Sequence, residues 1–134
     1  MTNKSKAKGT RAETKVVKYF ESRGFGARRK ALAGNKDEGD VELFDAPRLY
    51  CPITIEVKGG KQTANPNRTQ LTEWLRQAAI EKDNAGSKQK AAYLIVVRYN
   101  RRIEDADVWI QYTDGDGYFT KTHMYLDEFA SEYE

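Results

Sequence analysis

Cysteine is almost missing from this chain. Cys51 stands alone, so no internal disulfide can form, and with His123 as the sole histidine no zinc-ligand set can be assembled. Any metal must therefore be held by oxygen. Long apolar runs are missing too: none approaches the roughly 20 residues of a membrane span, and the polar opening MTNKSKAKGTR lacks the hydrophobic centre of a secretory signal. A cytoplasmic protein with no membrane association is the expectation. No internal repeat is visible. With 134 residues, 39% of them hydrophobic and 32% charged, the chain is too apolar for wholesale disorder and too short for two cores. We therefore expect one domain over residues 10–134, preceded by a flexible basic arm, 1–9.

The net charge of +3 conceals a steep gradient. Residues 1–36 hold eleven Lys or Arg against two acids (+9), residues 37–102 eleven against nine (+2), and residues 103–134 one against nine (−8). A basic leading third suits an anionic partner, most commonly nucleic acid, because phosphate neutralisation provides most sequence-independent affinity. A solubilising basic arm is the competing reading. The acidic end is most simply a solvated face.

Periodicity divides the rest. Thr10 with Glu13 three residues on forms a capping-box pattern, and Val16, Val17 and Phe20 follow at helical spacing, which predicts a first helix over about 11–23, stopped by Gly24. A short strand or two and a glycine-containing loop follow. From Gly39 the period becomes two: Val41 and Leu43 alternate with Asp40 and Glu42, and after Asp45, Ala46 and Pro47 a second strand has Ile53, Ile55 and Val57 on one side and Thr54, Glu56 and Lys58 on the other. A hairpin is expected. A second helix over about 68–83 has Asn67 and Gln70 placed as N-cap and N3, with Leu71, Trp74, Leu75 and Ala78 as its apolar stripe. Residues 92–97 read as a strand covered on both faces. A strand at 107–112, a turn at 114–117, another short strand and a short helix at 125–132 complete the chain. Such an order favours an α/β fold, a central mixed sheet flanked by helices.

Phosphodiester cleavage assisted by a divalent cation needs carboxylates for the metal, a nucleophilic water and positive charge beside the phosphorus. A hairpin would bring Asp40, Glu56 and Lys58 to one sheet edge. Mg2+ prefers octahedral oxygen ligands and keeps several waters, so Asp40, Glu56 and the carbonyl of Val57 would serve as protein ligands, with Mn2+ able to substitute. Lys58 would position or deprotonate the water, or stabilise the transition-state charge. Glu13 lies along the apolar side of the first helix, and a carboxylate there needs a cation, a lysine or a proton; N3 capping is the alternative. Arg28, Arg29, Lys30 and Lys36 precede the acidic motif where a phosphate would pass, with Arg11, Lys61 and Arg68 as further contacts. Trp74 reads as core and His123 as structural or exposed, and the residues around Asp114–Gly117 lack the other ligands of an EF-hand loop.

Gly9-Thr10-Arg11-Ala12-Glu13, then Glu38-Gly39-Asp40-Val41, then Ile55-Glu56-Val57-Lys58 together resemble the PD-(D/E)xK nuclease superfamily, and within it most resemble the archaeal Holliday junction resolvases. The resemblance covers residues 8–98, with Gly39 where the motif usually carries proline. It implies a restriction-endonuclease-like core, Glu13, Asp40 and Glu56 as metal-site acids, Lys58 as the catalytic lysine, and a homodimer that cuts a four-way DNA junction to leave 5′-phosphates. It also suggests Gln70 or Gln77 as a cleft residue, since related nucleases carry a functional Gln on this helix. Three alternatives stand beside it: an exonuclease, flap nuclease or duplex nuclease of the same fold; a DNA-binding module without catalysis; and a protein-interaction domain using the acidic end.

Overall fold

The structure, a computed structural model, describes residues 3–30, 40–86, 88–113 and 119–134. Lys36 and the turn expected at 114–117 lie outside the described residues. Helix α1 spans Asn3–Ser22, and the strands β1 (Gly26–Arg29), β2 (Val41–Asp45) and β3 (Ile53–Lys58) follow. Helix α2 (Arg68–Asn84) leads to β4 (Ala91–Val96), β5 (Asp107–Thr113), β6 (Phe119–Tyr125) and α3 (Leu126–Ser131). All six strands join one sheet in the order β1 to β6. Every neighbouring pair is antiparallel except β3 and β4, which run parallel and are linked by α2. The chain is thus α/β, with a mixed six-stranded sheet flanked by helices.

Helix α1 begins earlier than its capping signal suggests. Thr10 lies inside the helix and cannot be its N-cap, and residues expected in the arm are helical from Asn3 onward. Lys and Ala are good helix formers, and in the segment NKSKAKG they extend the helix despite a cost of about 1 kcal/mol for Gly9. The end is as expected. Gly24 adopts φ +86°, and the amides of Gly24 and Phe25 donate to the carbonyls of Glu21 and Phe20, closing the last turn.

Strand alternation sorts the core onto the sheet's two faces. On one, Val41, Leu43, Ile55, Val57, Tyr93, Ile95, Val108 and Ile110 pack against Val16 and Phe20 of α1 and Phe129 of α3. On the other, Leu94 and Val96 meet Trp74 and Leu75 of α2, with Leu71 and Trp109 at the margin. Trp74 is therefore core, as expected. The α2 cap forms as the sequence predicts: Asn67 Oδ1 accepts from the Gln70 amide at 2.8 Å, and Gln70 Oε1 accepts from the Asn67 amide at 3.0 Å. The register breaks between Gly26 and Ala27, and a Cβ on Gly26 would stand 2.6 Å from Cε2 of Phe44 and 2.9 Å from Cβ of Asp45, so these side chains fill the place a side chain would take there.

The parallel pair is stitched at both ends by side chains. At its start Gln89, buried, accepts from the Thr54 amide at 2.6 Å and donates to the carbonyls of Thr54 and Ala91, occupying the place of a further strand residue. At its finish the Thr63 hydroxyl lies 2.8 Å from both the Gly60 and Val97 carbonyls, and the Val97 amide donates to the Lys58 carbonyl. A 3-10 turn at Lys61–Thr63 thereby fixes the chain leaving β3.

Candidate active site at the end of strand β3

The hairpin of β2 and β3 sets Val41 opposite Ile55, so Asp40 stands just beyond the last β2 pair. Its amide donates to the Ile55 carbonyl at 3.1 Å, and its Oδ2 accepts from the Val57 amide at 2.8 Å. The carboxylate thus continues the ladder by side chain where the main chain leaves it. Residue alternation puts the Val57 carbonyl on the same strand edge as its amide, toward Asp40.

Glu56 is 4% exposed and hydrogen-bonds the Asp40 carboxyl. Burial pushes its carboxyl up to about 11, aided by the hydrogen bond to Asp40 and by the charges of Asp40 and Glu81, while Lys58 opposes the shift. The Lys58 ammonium lies 3.5 Å from Glu56 Oε2. Glu56 thus keeps its proton in the metal-free protein, hydrogen-bonded to Asp40 and beside a lysine. The natural relief of such an arrangement is a hard cation, which would favour the ionised form of Glu56, so the donor set fits Mg2+ or Mn2+ held by oxygen.

Glu81 is a participant that the sequence reading missed. It is buried on α2 and acts electrostatically on Glu56. Its one signal in the sequence is its place three residues after Ala78 and seven after Trp74, on the inward stripe. Gln77 stands one turn before it, with a buried Oε1 that has no hydrogen-bond partner among the described residues. Gln70, the other glutamine considered for the cleft, spends its side-chain oxygen on the α2 cap.

Other expected members are distributed differently. Glu13 is on α1, over the opposite face of the sheet, 3.8 Å from Arg29. Among the described residues, no three acidic, His or Cys side chains converge as a metal-holding group, so the pair Asp40 and Glu56 is what the fold brings together. Glu42 is engaged by Arg28 Nε at 2.8 Å and by Lys30 Nζ at 3.9 Å. Arg28 also lies over the Phe44 ring, 5.3 Å from its centroid. Arg11, Lys61 and Arg68 are exposed, and Lys36 lies outside the described residues.

His123 has an acidic partner that only the fold reveals. The β5–β6 register sets it opposite Trp109, and its Nε2 is 2.7 Å from Asp107 Oδ1, while Arg98 donates to Asp107 Oδ2 at 3.0 Å. Trp109 covers the imidazole, with ring centroids 4.7 Å apart. These contacts tie the segment after β4 to β5 and β6, and His123, expected to be structural or exposed, is exposed on β6 while joined to Asp107.

No family model, curated protein or solved structure matches the chain. Among the described residues no helix is long and apolar enough to cross a membrane.

Proposed function

We propose that the chain is a divalent-metal-dependent DNA endonuclease of restriction-endonuclease-like fold, acting on branched DNA as a Holliday junction resolvase. The observation that carries this reading is the hydrogen bond between buried Glu56 of β3 and Asp40, the residue just before β2, with Lys58 3.5 Å from Glu56. A carboxylate pair with a lysine beside it supplies metal ligands and a positive charge of the kind that metal-assisted phosphodiester hydrolysis uses.

Asp40 and Glu56 would hold the cation, with the Val57 carbonyl at the same edge. When bound, Mg2+ supplies Lewis-acid polarisation of the phosphoryl group and neutralises charge that develops on it. The Val57 amide fixes the Asp40 carboxylate, so this ligand needs little reorganisation. Lys58, at the mouth of the pair, orients the attacking water and stabilises negative charge as the bond from water oxygen to phosphorus forms and the bond from phosphorus to O3′ breaks. The products are a 5′-phosphate and a 3′-hydroxyl. A homodimer would present two such sites to the two strands of a four-way junction, and Gln77 is the cleft glutamine of this reading.

Cleavage of end-labelled four-way junction, flap, linear duplex and single-stranded DNA, with Mg2+ or EDTA, tests the proposal beside Glu56→Ala. We expect paired symmetric nicks in the junction, abolished by EDTA and reduced at least 100-fold by the substitution, while junction binding persists. Cutting of flap or duplex instead would keep the site and change the substrate. Folded protein that cuts nothing with metal would overturn the catalytic reading in favour of a DNA-binding module.

A further inference from the structure

We propose that the groove between α1 and the β4–β5 connection seats a nucleic-acid backbone, carrying one strand away from the Asp40–Glu56–Lys58 cluster. This deepens the functional reading above but rests only on its nucleic-acid part, not on cleavage.

Two adjoining hollows form the groove. The first, about 270 Å3, is lined by Arg11 and Lys15 of α1, by Gly60 just after Lys58, and by Arg98, Tyr99 and Arg101 after β4. The second is lined by Lys15, Lys18 and Ser22 on one side and Arg101, Arg102 and Glu104 on the other. Lys15 and Arg101 belong to both, so the hollows are continuous. Among the described residues, Arg11, Lys15, Lys18 and Arg101 have no ion-pair partner, whereas Arg98 is held by Asp107 and Arg102 by Asp105. Several cations thus face one another with Glu104 as the acid in the wall.

The length of this track decides the class of ligand. Positions 11, 15, 18 and 22 recur every three or four residues and form one helical stripe, about 16 Å long at 1.5 Å per residue. Phosphates of one nucleic-acid strand are spaced about 3.4 Å along the axis, so the stripe spans roughly four or five of them. A free phosphate would need one point of it. Tyr99, 40% exposed in the same wall, offers a ring face to a base or sugar beside the phosphates. Gly59 and Gly60, which follow Lys58 in the chain, line one end of the groove, so the groove on the α1 face opens at the same end of β3 that carries the carboxylate pair on the opposite face.

Fluorescence anisotropy with labelled four-way junction and duplex DNA, in EDTA and over a salt series, tests the groove. Lys15→Glu/Arg101→Glu should weaken binding to both at least tenfold and make the plot of log affinity against log salt shallower by about two. Lys15→Ala/Arg101→Ala should move the same way by less, and Lys121→Glu, on exposed β6, should change little. Wild-type affinity and slope in both groove variants, or an equal loss in Lys121→Glu, would overturn the proposal; circular dichroism establishes that each variant is folded. The two readings fail separately. Groove-dependent binding without metal-dependent cutting sinks the nuclease and keeps the groove, while junction cutting undiminished in Lys15→Glu/Arg101→Glu sinks the groove and keeps the nuclease.

Discussion

Glu56 illustrates how a single residue couples fold to chemistry. Its folded-state carboxyl, near 11, lies above the ordinary value of about 4.3 expected in the unfolded chain. The metal-free native state therefore holds a proton at neutral pH that the unfolded state has lost. Stability associated with this proton is fully present below about pH 4.3 and declines as pH rises toward 11, by at most about 1.4 kcal/mol per pH unit. We expect metal-free wild type to melt at lower temperature at pH 9 than at pH 7, and Glu56→Gln to flatten that difference. Thermal melts in EDTA across this range check it; parallel profiles for the two proteins would refute the proton retained on Glu56. Strand parity made Glu56 and Lys58 legible in the sequence, because a period of two needs only local spacing. The Asp40–Val57 hydrogen bond was not legible, since it depends on where the β2 ladder stops. Glu81 was hidden because a carboxylate on a helix stripe reads as surface until a neighbouring strand shows what it faces.

At the scale of elements, α2 holds the site's far wall, and its start depends on a cap visible in the sequence. The Asn67–Gln70 box satisfies two amides that the helix leaves without internal partners. Asn67→Ala should cost about 1 kcal/mol by chemical denaturation, and Asn67→Ser should restore most of it. An unchanged midpoint in Asn67→Ala would show that packing of Trp74 and Leu75 alone fixes the helix. Strands β2 to β5 and helix α2 were readable because their alternations and stripes are strong. The early start of α1 was not: a local capping pattern competed with the helix propensity of the residues before it. The 3-10 turns at Lys61–Thr63 and Ile103–Asp105 carry no periodicity to read. Nor does Gln89, whose role depends on the spacing of two strands joined by α2.

For the whole molecule, the charge gradient and the core are superimposed. The acidic end is a solvated face only in part. Asp127, Glu128 and Glu132 are exposed, but Leu126, Phe129 and Ala130 are fully buried, and Arg23, just after α1, bonds Glu134. The acid count masked this short i, i+3, i+4 stripe. Phe129 lies 6.3 Å from the Phe20 ring, 5.7 Å from Tyr93 and 5.2 Å from Tyr133, joining both ends of the chain over one sheet face. Phe129→Ala should therefore cost about 3–5 kcal/mol, a large part of the roughly 5–15 kcal/mol that stabilises a domain of this kind. The carboxylate pair and α2 stand on the other face, so, on the proposed function, junction cutting measured well below the melting transition should stay within a few-fold of wild type. Equilibrium denaturation and cleavage on the same preparation separate the two effects. A loss below about 1 kcal/mol would mean that α3 is not part of the core. A large fall in cleavage by a protein still folded would mean that the two faces of the sheet are mechanically coupled, and that the site depends on more than β2, β3 and α2.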